Sequence, residues 1–219
     1  MIISSPLTRR SLLGVAVAGG ALLAAGTRAA ASPLNPISAA ATGIDPALCD
    51  RAFAALSVHR RSIWADDVVA IADFGRASAA PRFHIIDLMR GQTTALLVAH
   101  GQGSDPLNSG FLQEFSNRYG SNATSEGAFL TAELYTGMHG LSRRVNGLDP
   151  TNDNARVRDV VIHAANYVSE DVIASAGKLG RSNGCFAFAQ CDIAQVLARL
   201  GRGRLIYAGR GGPSPASPV

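Results

Sequence analysis

The sequence predicts a β-rich domain of the α+β class with few, short helices. Three apolar runs of strand length follow one another closely, at residues 68–73, 83–87 and 94–99, separated by turns that carry Gly and Arg. Helical periodicity is limited to short stretches elsewhere. A chain of 219 residues, even without an N-terminal signal, is long enough to bury a sizeable core in one domain.

Residues 1–31 are predicted to be an export signal outside the fold. Residues 8–13 read Thr-Arg-Arg-Ser-Leu-Leu and precede an apolar run that ends at Ala25, which is shorter than the ~20 residues of a bilayer span. Ala29–Ala31 supplies the small residues that a signal peptidase requires. The twin arginines favour the Tat route, while Sec export and an uncleaved anchor stay open.

The charge of the mature chain gives no support to a nucleic-acid partner. The full sequence has 20 basic against 16 acidic residues, and residues 1–31 contain three arginines and no acid, which leaves 17 against 16. A nucleic-acid surface calls for a basic stripe, and the sequence shows none.

The three cysteines predict at least one free thiol. Cys49, Cys185 and Cys191 are an odd number in a compartment that favours disulfides. A Cys49–Cys191 disulfide and three reduced thiols are both compatible with the sequence.

The N-terminal part of the mature chain is predicted to be a flexible lead and a helix, together residues 32–66. Residues 32–44 are rich in Ala, Ser and Pro, and residues 45–60 have amphipathic spacing that begins at Asp45-Pro46. The three strands then form a β meander.

The C-terminal half alternates strands and short helices after a long loop. The loop covers residues 101–127, a length that is usually functional or mobile. Further strands are predicted at 128–134, 157–162 and 204–208, and helices at 169–176 and 192–200, each followed by Gly, with a disordered tail at 209–219.

Two segments have the layout of a cysteine–histidine site. An apolar strand ends in His163, and a Gly-rich turn from Gly180 ends in Cys185, so that a rigid strand fixes the imidazole and a tight turn presents the thiol. Gly184 lets the N–H groups near Asn183 and Cys185 converge as an oxyanion hole, which contributes about 3 kcal/mol per donor in known sites.

Simpler interpretations compete with this one. A free Cys is more often a buried small residue, and Cys191 has no histidine partner in the sequence. His100 and His139 compete with His163, since each precedes Gly in a predicted loop. The arginines of residues 143–158 are interpreted as a solvated face, although one of them could steer a substrate. A zinc site is disfavoured because the sequence has no Cys-Xaa-Xaa-Cys and no His pair at i, i+4.

Residues 163–169 and 180–185 together resemble the active-site signature of the murein L,D-transpeptidase catalytic domain family. That signature is a histidine that closes a strand, followed about twenty residues later by Ser-Xaa-Gly-Cys. The resemblance extends over approximately residues 67–208 through five further segments, at 98–101, 115–117, 125–131, 137–140 and 152–156. It implies a mostly β, mixed and barrel-like sheet.

The resemblance also implies a reaction and its residues. Cys185 is expected to be the nucleophile and His163 the base, with the Ala164 carbonyl orienting the imidazole. Asn183 and Gly184 are expected at the oxyanion, and Arg181, Ser182 and His139 at the substrate.

The substrate is then a peptidoglycan tetrapeptide stem in the periplasm, with no cofactor or metal. The thiolate releases D-alanine and passes the acyl group to an amine as a 3→3 cross-link. Water as acceptor, giving an L,D-carboxypeptidase, and a non-catalytic murein-binding protein are the alternatives. Asn183, Phe186 and Ala164 depart from the usual His or Trp, Pro and Gly of the family.

Overall fold

The computed structural model describes residues 43–211. The predicted export signal, most of the predicted lead and residues 212–219 lie outside the described residues. Within them are the helices α1 (Pro46–Val58), α2 (Glu170–Ala176) and α3 (Ile193–Arg199), and the strands β1 (Val68–Asp73), β2 (Phe83–Asp87), β3 (Gln92–Leu96), β4 (Gly127–Gly137), β5 (Gly140–Gly147), β6 (Val161–Ala164), β7 (Phe186–Phe188) and β8 (Leu205–Gly209). None of these helices has the length and apolar character of a membrane span.

The eight strands form one mixed sheet that curls until its edges meet. The strand order is β3-β2-β1-β8-β4-β5-β6-β7, with parallel pairs at β1–β8 and β6–β7 and antiparallel pairs elsewhere. Beyond β3 the chain runs back to the other edge, where the Ala99 N–H donates to the Ala187 carbonyl over 3.0 Å. The predicted mostly β, barrel-like sheet is therefore confirmed.

Aromatic side chains fill the inside of this barrel. Phe83 meets Phe188 edge to face with ring centroids 4.8 Å apart, and Phe129 meets Phe186 in the same way at 5.3 Å. Phe186 is 1% exposed and also contacts the rings of Phe74 and Phe83. Phe186, which stands where the resemblance predicts Pro, is therefore a core residue. It anchors the first position of β7, directly after the Cys185 turn, in the aromatic core.

Helix α1 covers the outer face of β1 and β8. The Asp45 carboxylate accepts from the Leu48 N–H at 3.1 Å and Pro46 takes the first turn, which is the start that the sequence predicts. Leu48 and Ala52, both fully buried, pack into the outer cluster with strand residues such as Ile71. This helix and the two short helices after β6 and β7 are confirmed within two residues at each end.

The sequence patterns do not predict strand β5. β5 contains Arg143 and Arg144 and so lacks a clean apolar alternation, yet Arg143 is only 5% exposed. Its guanidinium donates to the carbonyls of Ala132 at 2.5 Å and Leu197 at 3.2 Å. The interpretation of the arginines as a solvated face is wrong for Arg143, because carbonyl acceptors replace the water that the buried guanidinium loses.

Boundaries shift where turns interrupt a strand. The predicted strand 157–162 begins only at Val161, because Asp159 adopts a positive φ of 53°. The three-residue β7 was not predicted as a strand. All three cysteines are free, Cys49 buried and Cys191 exposed, so the possible Cys49–Cys191 disulfide is not formed.

Candidate active site

The parallel pairing of β6 and β7 puts Cys185 and His163 on one face of the sheet. Ile162 pairs with Phe186 and His163 with Ala187. Ile162 and Phe186 belong to the core inside the barrel, and side chains alternate along a strand. His163 and Cys185 therefore both face away from that core, with the Ile162–Phe186 pair between them along the strands.

His163 is a buried, neutral imidazole of defined tautomer. Its Nδ1 lies 2.8 Å from the Ala164 carbonyl oxygen, which can only accept, so Nδ1 carries the hydrogen and Nε2 keeps the lone pair. Burial lowers the pKa of His163, the bond to Ala164 opposes that shift, and the charge of His139 adds to it. Near neutral pH the ring can accept a proton at Nε2.

Cys185 is a partly exposed thiol with a raised pKa. Its Sγ donates to the Asp159 carbonyl at 3.5 Å. Burial raises the pKa of Cys185, whereas a hydrogen bond from the Val161 N–H and the charge of Arg158 lower it. Within residues 43–211 no hydrogen bond joins this thiol to the His163 imidazole. Because burial raises the pKa of Cys185 and lowers the pKa of His163, the two shifts favour a neutral thiol and a neutral imidazole at rest.

The turn before Cys185 is closed by the side chain of Ser182. Ser182 Oγ donates to the Cys185 carbonyl at 2.8 Å and accepts from the Gly184 N–H at 3.1 Å. Gly184 has a φ of 109°, and a Cβ there would lie 2.6 Å from the Ala123 carbonyl oxygen, so only glycine fits.

The hydrogen bonds of this turn decide which N–H groups remain available to a substrate. The Gly184 N–H group already donates to Ser182 Oγ within the turn. Those of Asn183 and Cys185 have no acceptor among the described residues, which leaves two N–H groups able to serve as oxyanion donors.

The other predicted residues of the turn have different surroundings. The Arg181 guanidinium donates to the Asp105 carbonyl, and Ser182 is 4% exposed, so both hold the turn in place. Asn183 lies at the rim, where its Oδ1 accepts from Gln102 Nε2 at 2.9 Å.

The two competing histidines, His139 and His100, have different positions relative to His163. His139, in the turn between β4 and β5, stacks on His163 with centroids 4.1 Å apart and planes inclined by 21°. His100 is fully buried, accepts from Arg82 at Nδ1 over 2.8 Å and donates to the Asp105 carboxylate over 3.4 Å. Burial is the main cause that lowers the pKa of His100 to about 4. The His100 backbone carbonyl accepts from the Ser182 N–H at 2.9 Å.

The sequence groups Arg158 with the other arginines of residues 143–158 as a solvated face, whereas the structure partly buries it. Its guanidinium ties the segment 116–125 to the chain just before β6, through the Ser116 carbonyl at 2.8 Å, Ser125 Oγ at 2.5 Å, the Ala123 carbonyl at 2.5 Å and Ser121 Oγ at 3.2 Å. No local motif marks such a residue, because its partners lie far away in the sequence.

A cleft of about 270 Å³ is lined by residues that adjoin Cys185. Asp159, whose carbonyl contacts Cys185, and Asn183 both line it, together with Tyr119, Gly120, Asn122, Val157 and Arg158. Among the described residues, no three His, Cys, Asp or Glu side chains gather in a way that could hold a metal ion. The site thus combines a thiol, an imidazole, free N–H groups and a polar cleft, the parts that acyl transfer through cysteine requires.

Comparisons with known proteins point to one family. The family model described as L,D-transpeptidase catalytic domain matches residues 40–208. No curated protein matches the sequence.

Solved structures resemble the chain at low identity. An L,D-transpeptidase from Mycobacterium smegmatis is 15% identical, with a TM-score of 0.40 and coverage of 65% of this chain and 58% of that chain. L,D-transpeptidase 1 of Mycobacterium tuberculosis is 13% identical, with a TM-score of 0.37 and coverage of 66% and 62%. The helical cell shape determining protein Pgp2 from Campylobacter jejuni is 10% identical, with a TM-score of 0.42 and coverage of 70% and 51%. The chain thus spans less than two thirds of each of these proteins.

Proposed function

The chain belongs to the L,D-transpeptidase catalytic domain family, and we propose that it transfers acyl groups of peptidoglycan stems through Cys185, with His163 as the base. The observation that carries the proposal is the shared face of Cys185 and His163 beside a polar cleft. Only the Ile162–Phe186 pair separates the proposed nucleophile from the proposed base along the strands. The hydrogen bond to Ala164 supports the proposal because it leaves Nε2 of His163 free to take a proton.

The proposed reaction begins when the thiol proton moves from Cys185 Sγ to Nε2 of His163. The sulfur then bonds to the carbonyl carbon between the L-centre of the stem and its terminal D-alanine. The carbonyl electron pair moves onto the oxygen, towards the N–H groups of Asn183 and Cys185. As the tetrahedral intermediate collapses, the D-alanine nitrogen takes the proton from His163 and leaves, and a thioester remains.

In the second half of the reaction an amine attacks the thioester and His163 takes its proton. The thiolate leaves and recovers the proton from His163, which restores the resting site. An amine from another stem gives a 3→3 cross-link, and water gives an L,D-carboxypeptidase. All of these steps use groups of the chain and its substrates alone.

Proton transfer is expected to accompany the attack rather than precede it. Burial raises the pKa of Cys185 and lowers the pKa of His163, so both shifts disfavour a thiolate–imidazolium pair in the free protein. The thiol hydrogen also has to turn away from the Asp159 carbonyl, which it contacts in the resting structure.

The proposed substrate implies a place of action outside the cytoplasm. We propose that residues 1–31 direct export and are then removed, residues 32–66 form a lead and helix, and residues 67–208 act on the wall from the periplasm. A murein stem peptide is the proposed partner, without cofactor and without nucleic acid.

The test compares the protein with its Cys185→Ala variant on a purified disaccharide-tetrapeptide, with products identified by mass spectrometry. Cross-linked dimers or D-amino-acid exchange from the unaltered protein alone would support a transpeptidase. Loss of D-alanine alone would indicate a carboxypeptidase. No change in either sample would favour a murein-binding protein.

Acylation by a carbapenem tests the nucleophile separately. We expect one covalent adduct that Cys185→Ala abolishes. The matched control is Cys191→Ala, which removes an exposed thiol outside the cleft and should leave the adduct intact. An adduct that survives Cys185→Ala refutes the assignment of the nucleophile.

A further inference from the structure

Arg158 is a partly buried cation whose hydrogen-bond acceptors are all uncharged. Its four bonds go to two hydroxyls and two carbonyls in the segment 116–125. No carboxylate within residues 43–211 forms an ion pair with it. Hydrogen bonds to neutral acceptors offset the lost hydration of a guanidinium but leave its positive charge uncompensated.

Several other arginines of the barrel have carboxylates near them. Arg144 pairs with Asp159 at 2.9 Å, and Arg156 with Glu133 at 2.5 Å. Fully buried Arg82 has Asp105 as well as Asp73 to balance its charge. Arg143 also donates to carbonyls and has no ion pair among the described residues, so what distinguishes Arg158 is its position against Gly184 of the Cys185 turn.

The acidic group whose charge acts on Arg158 is the thiol of the proposed nucleophile. Arg158 Nη2 lies against Gly184, 3.1 Å from the place where a Cβ of that residue would stand, and Gly184 directly precedes Cys185. The next residue, Asp159, accepts from Cys185 Sγ through its carbonyl. Among charged groups acting on the Arg158 pKa, Cys185 is the one that raises it, against the effect of burial.

We infer that Arg158 is a positioning residue for the nucleophile: its uncompensated charge favours the anionic sulfur of Cys185 over the thiol. Within the proposed function, the charge is available throughout the reaction because a guanidinium does not lose its proton in this range. When Cys185 gives its proton to His163, the negative charge that forms on sulfur is attracted to a cation that has no carboxylate partner of its own among the described residues.

The other titratable groups near Cys185 do not supply this charge. The Asp159 carboxylate opposes it, but its side chain is 79% exposed and bound to Arg144, so solvent screens it. Burial is the main cause that raises the pKa of Tyr167 to about 12, so that phenol stays neutral. His163 is neutral in the resting site, and its stacking partner is His139.

The experiment measures how fast iodoacetamide alkylates Cys185 as a function of pH, in the full chain, with each modified peptide quantified by mass spectrometry. Cys191 is exposed and serves as an internal reference in every sample. Because alkylation requires the thiolate, the midpoint of the rate profile reports the thiol pKa. The measurement needs no turnover, so it is independent of the murein reaction.

Arg158→Gln removes the charge and keeps hydrogen-bond donors. We expect its midpoint for Cys185 to rise by about one pH unit, a tenfold loss of thiolate at a given pH, with Cys191 unchanged. Arg158→Lys keeps the charge but not the fork of donors, and should stay within a few tenths of a unit of the unaltered protein. Equal shifts in both variants would show that Arg158 only ties the segment 116–125 in place, and no shift in Arg158→Gln would equally overturn the inference.

A second pair of variants leaves Arg158 in place, in case its removal unfolds the site. Ser121→Asp puts a carboxylate beside Nη2, whose hydroxyl acceptor at 3.2 Å is Ser121 Oγ, and Ser121→Asn is the matched uncharged control. The aspartate should raise the Cys185 midpoint and the asparagine should not. If the two variants agree, the charge of Arg158 does not act on Cys185, whatever the outcome for peptidoglycan.

Discussion

Replacing His84 by Leu should stabilise the protein, and more so at acidic pH. His84 lies in β2 between Phe83 and Ile85 and is 1% exposed. Neither of its ring nitrogens has a hydrogen-bond partner. Burial, followed by the charge of Arg76, lowers the pKa of His84 to about 4 from an ordinary value of 6.5. An imidazole in this place is a destabilising feature that a leucine of similar volume removes.

The magnitude follows from two separate effects. Each unsatisfied buried polar group costs about 1 to 3 kcal/mol, so loss of the ring should raise the free energy of unfolding by about 2 kcal/mol at pH 7.5. Between pH 6.5 and 4 the unfolded chain binds a proton at His84 that the folded chain does not. The stability of the unaltered protein therefore falls as the pH falls below 6.5, by about 1.4 kcal/mol per unit. At pH 5 the advantage of His84→Leu should reach about 4 kcal/mol.

Urea denaturation followed by circular dichroism at pH 7.5 and pH 5.0 measures both effects. The matched control is His84→Gln, which stays polar but cannot titrate. The free energy of unfolding of His84→Gln should lack the pH dependence that His84 causes. At pH 7.5 it should not exceed that of the unaltered protein. An advantage of His84→Leu that is equal at the two pH values would refute the depressed pKa, and a loss of stability at pH 7.5 would mean that the ring nitrogens are satisfied.

Three further predictions concern the site. Gly184→Ala should slow formation of a carbapenem adduct at least tenfold, because the new Cβ meets the Ala123 carbonyl. The same contact should lower the free energy of unfolding by about 1 to 3 kcal/mol. A normal rate of adduct formation would contradict this prediction. Phe186→Pro, which restores the residue usual in the family, should cost at least about 3 kcal/mol in urea denaturation because Phe186 fills the core; a neutral effect would mean that the core repacks. Burial is the main cause that lowers the pKa of His163, and the charge of His139 lowers it further. His139→Ala and His139→Phe should therefore both move the acid limb of the pH profile of adduct formation to higher pH. Only His139→Ala should also lower the maximum rate of adduct formation, because it removes the ring that stacks on His163. Unchanged profiles in both variants would show that the two rings are not coupled.

Strands could be predicted where apolar residues alternate with the turn residues that end them. β1 and β2 agree with their predicted bounds residue for residue, because they lie between two packed layers and carry continuous apolar runs. β5 could not be found in this way, since the side chain that it buries is Arg143, bound to carbonyls of β4 and α3. Its burial depends on acceptors that only the assembled barrel provides.

The core of the site was predictable because it is local. A histidine at the end of a strand and a cysteine at the end of a Gly-rich turn become neighbours once β6 and β7 pair in parallel. The role of Gly184 was only partly predictable, because its N–H donates to Ser182. The stack of His139 and the bonds of Arg158 join segments that are distant in sequence, and no spacing rule marks them.

The resting state of the site has a consequence for its chemistry. Oxidation and alkylation of cysteine proceed through the thiolate, and burial raises the pKa of Cys185. In the oxidising compartment that the predicted signal implies, a nucleophile kept as a neutral thiol reacts slowly with oxidants. In the proposed reaction, the charge of Arg158 and the lone pair of His163 act in the opposite direction once a carbonyl carbon is present to receive the sulfur. Reactivity then depends on the bound substrate, so Cys185 should be alkylated more slowly than exposed Cys191 at neutral pH, although it is the residue that we expect a carbapenem to acylate.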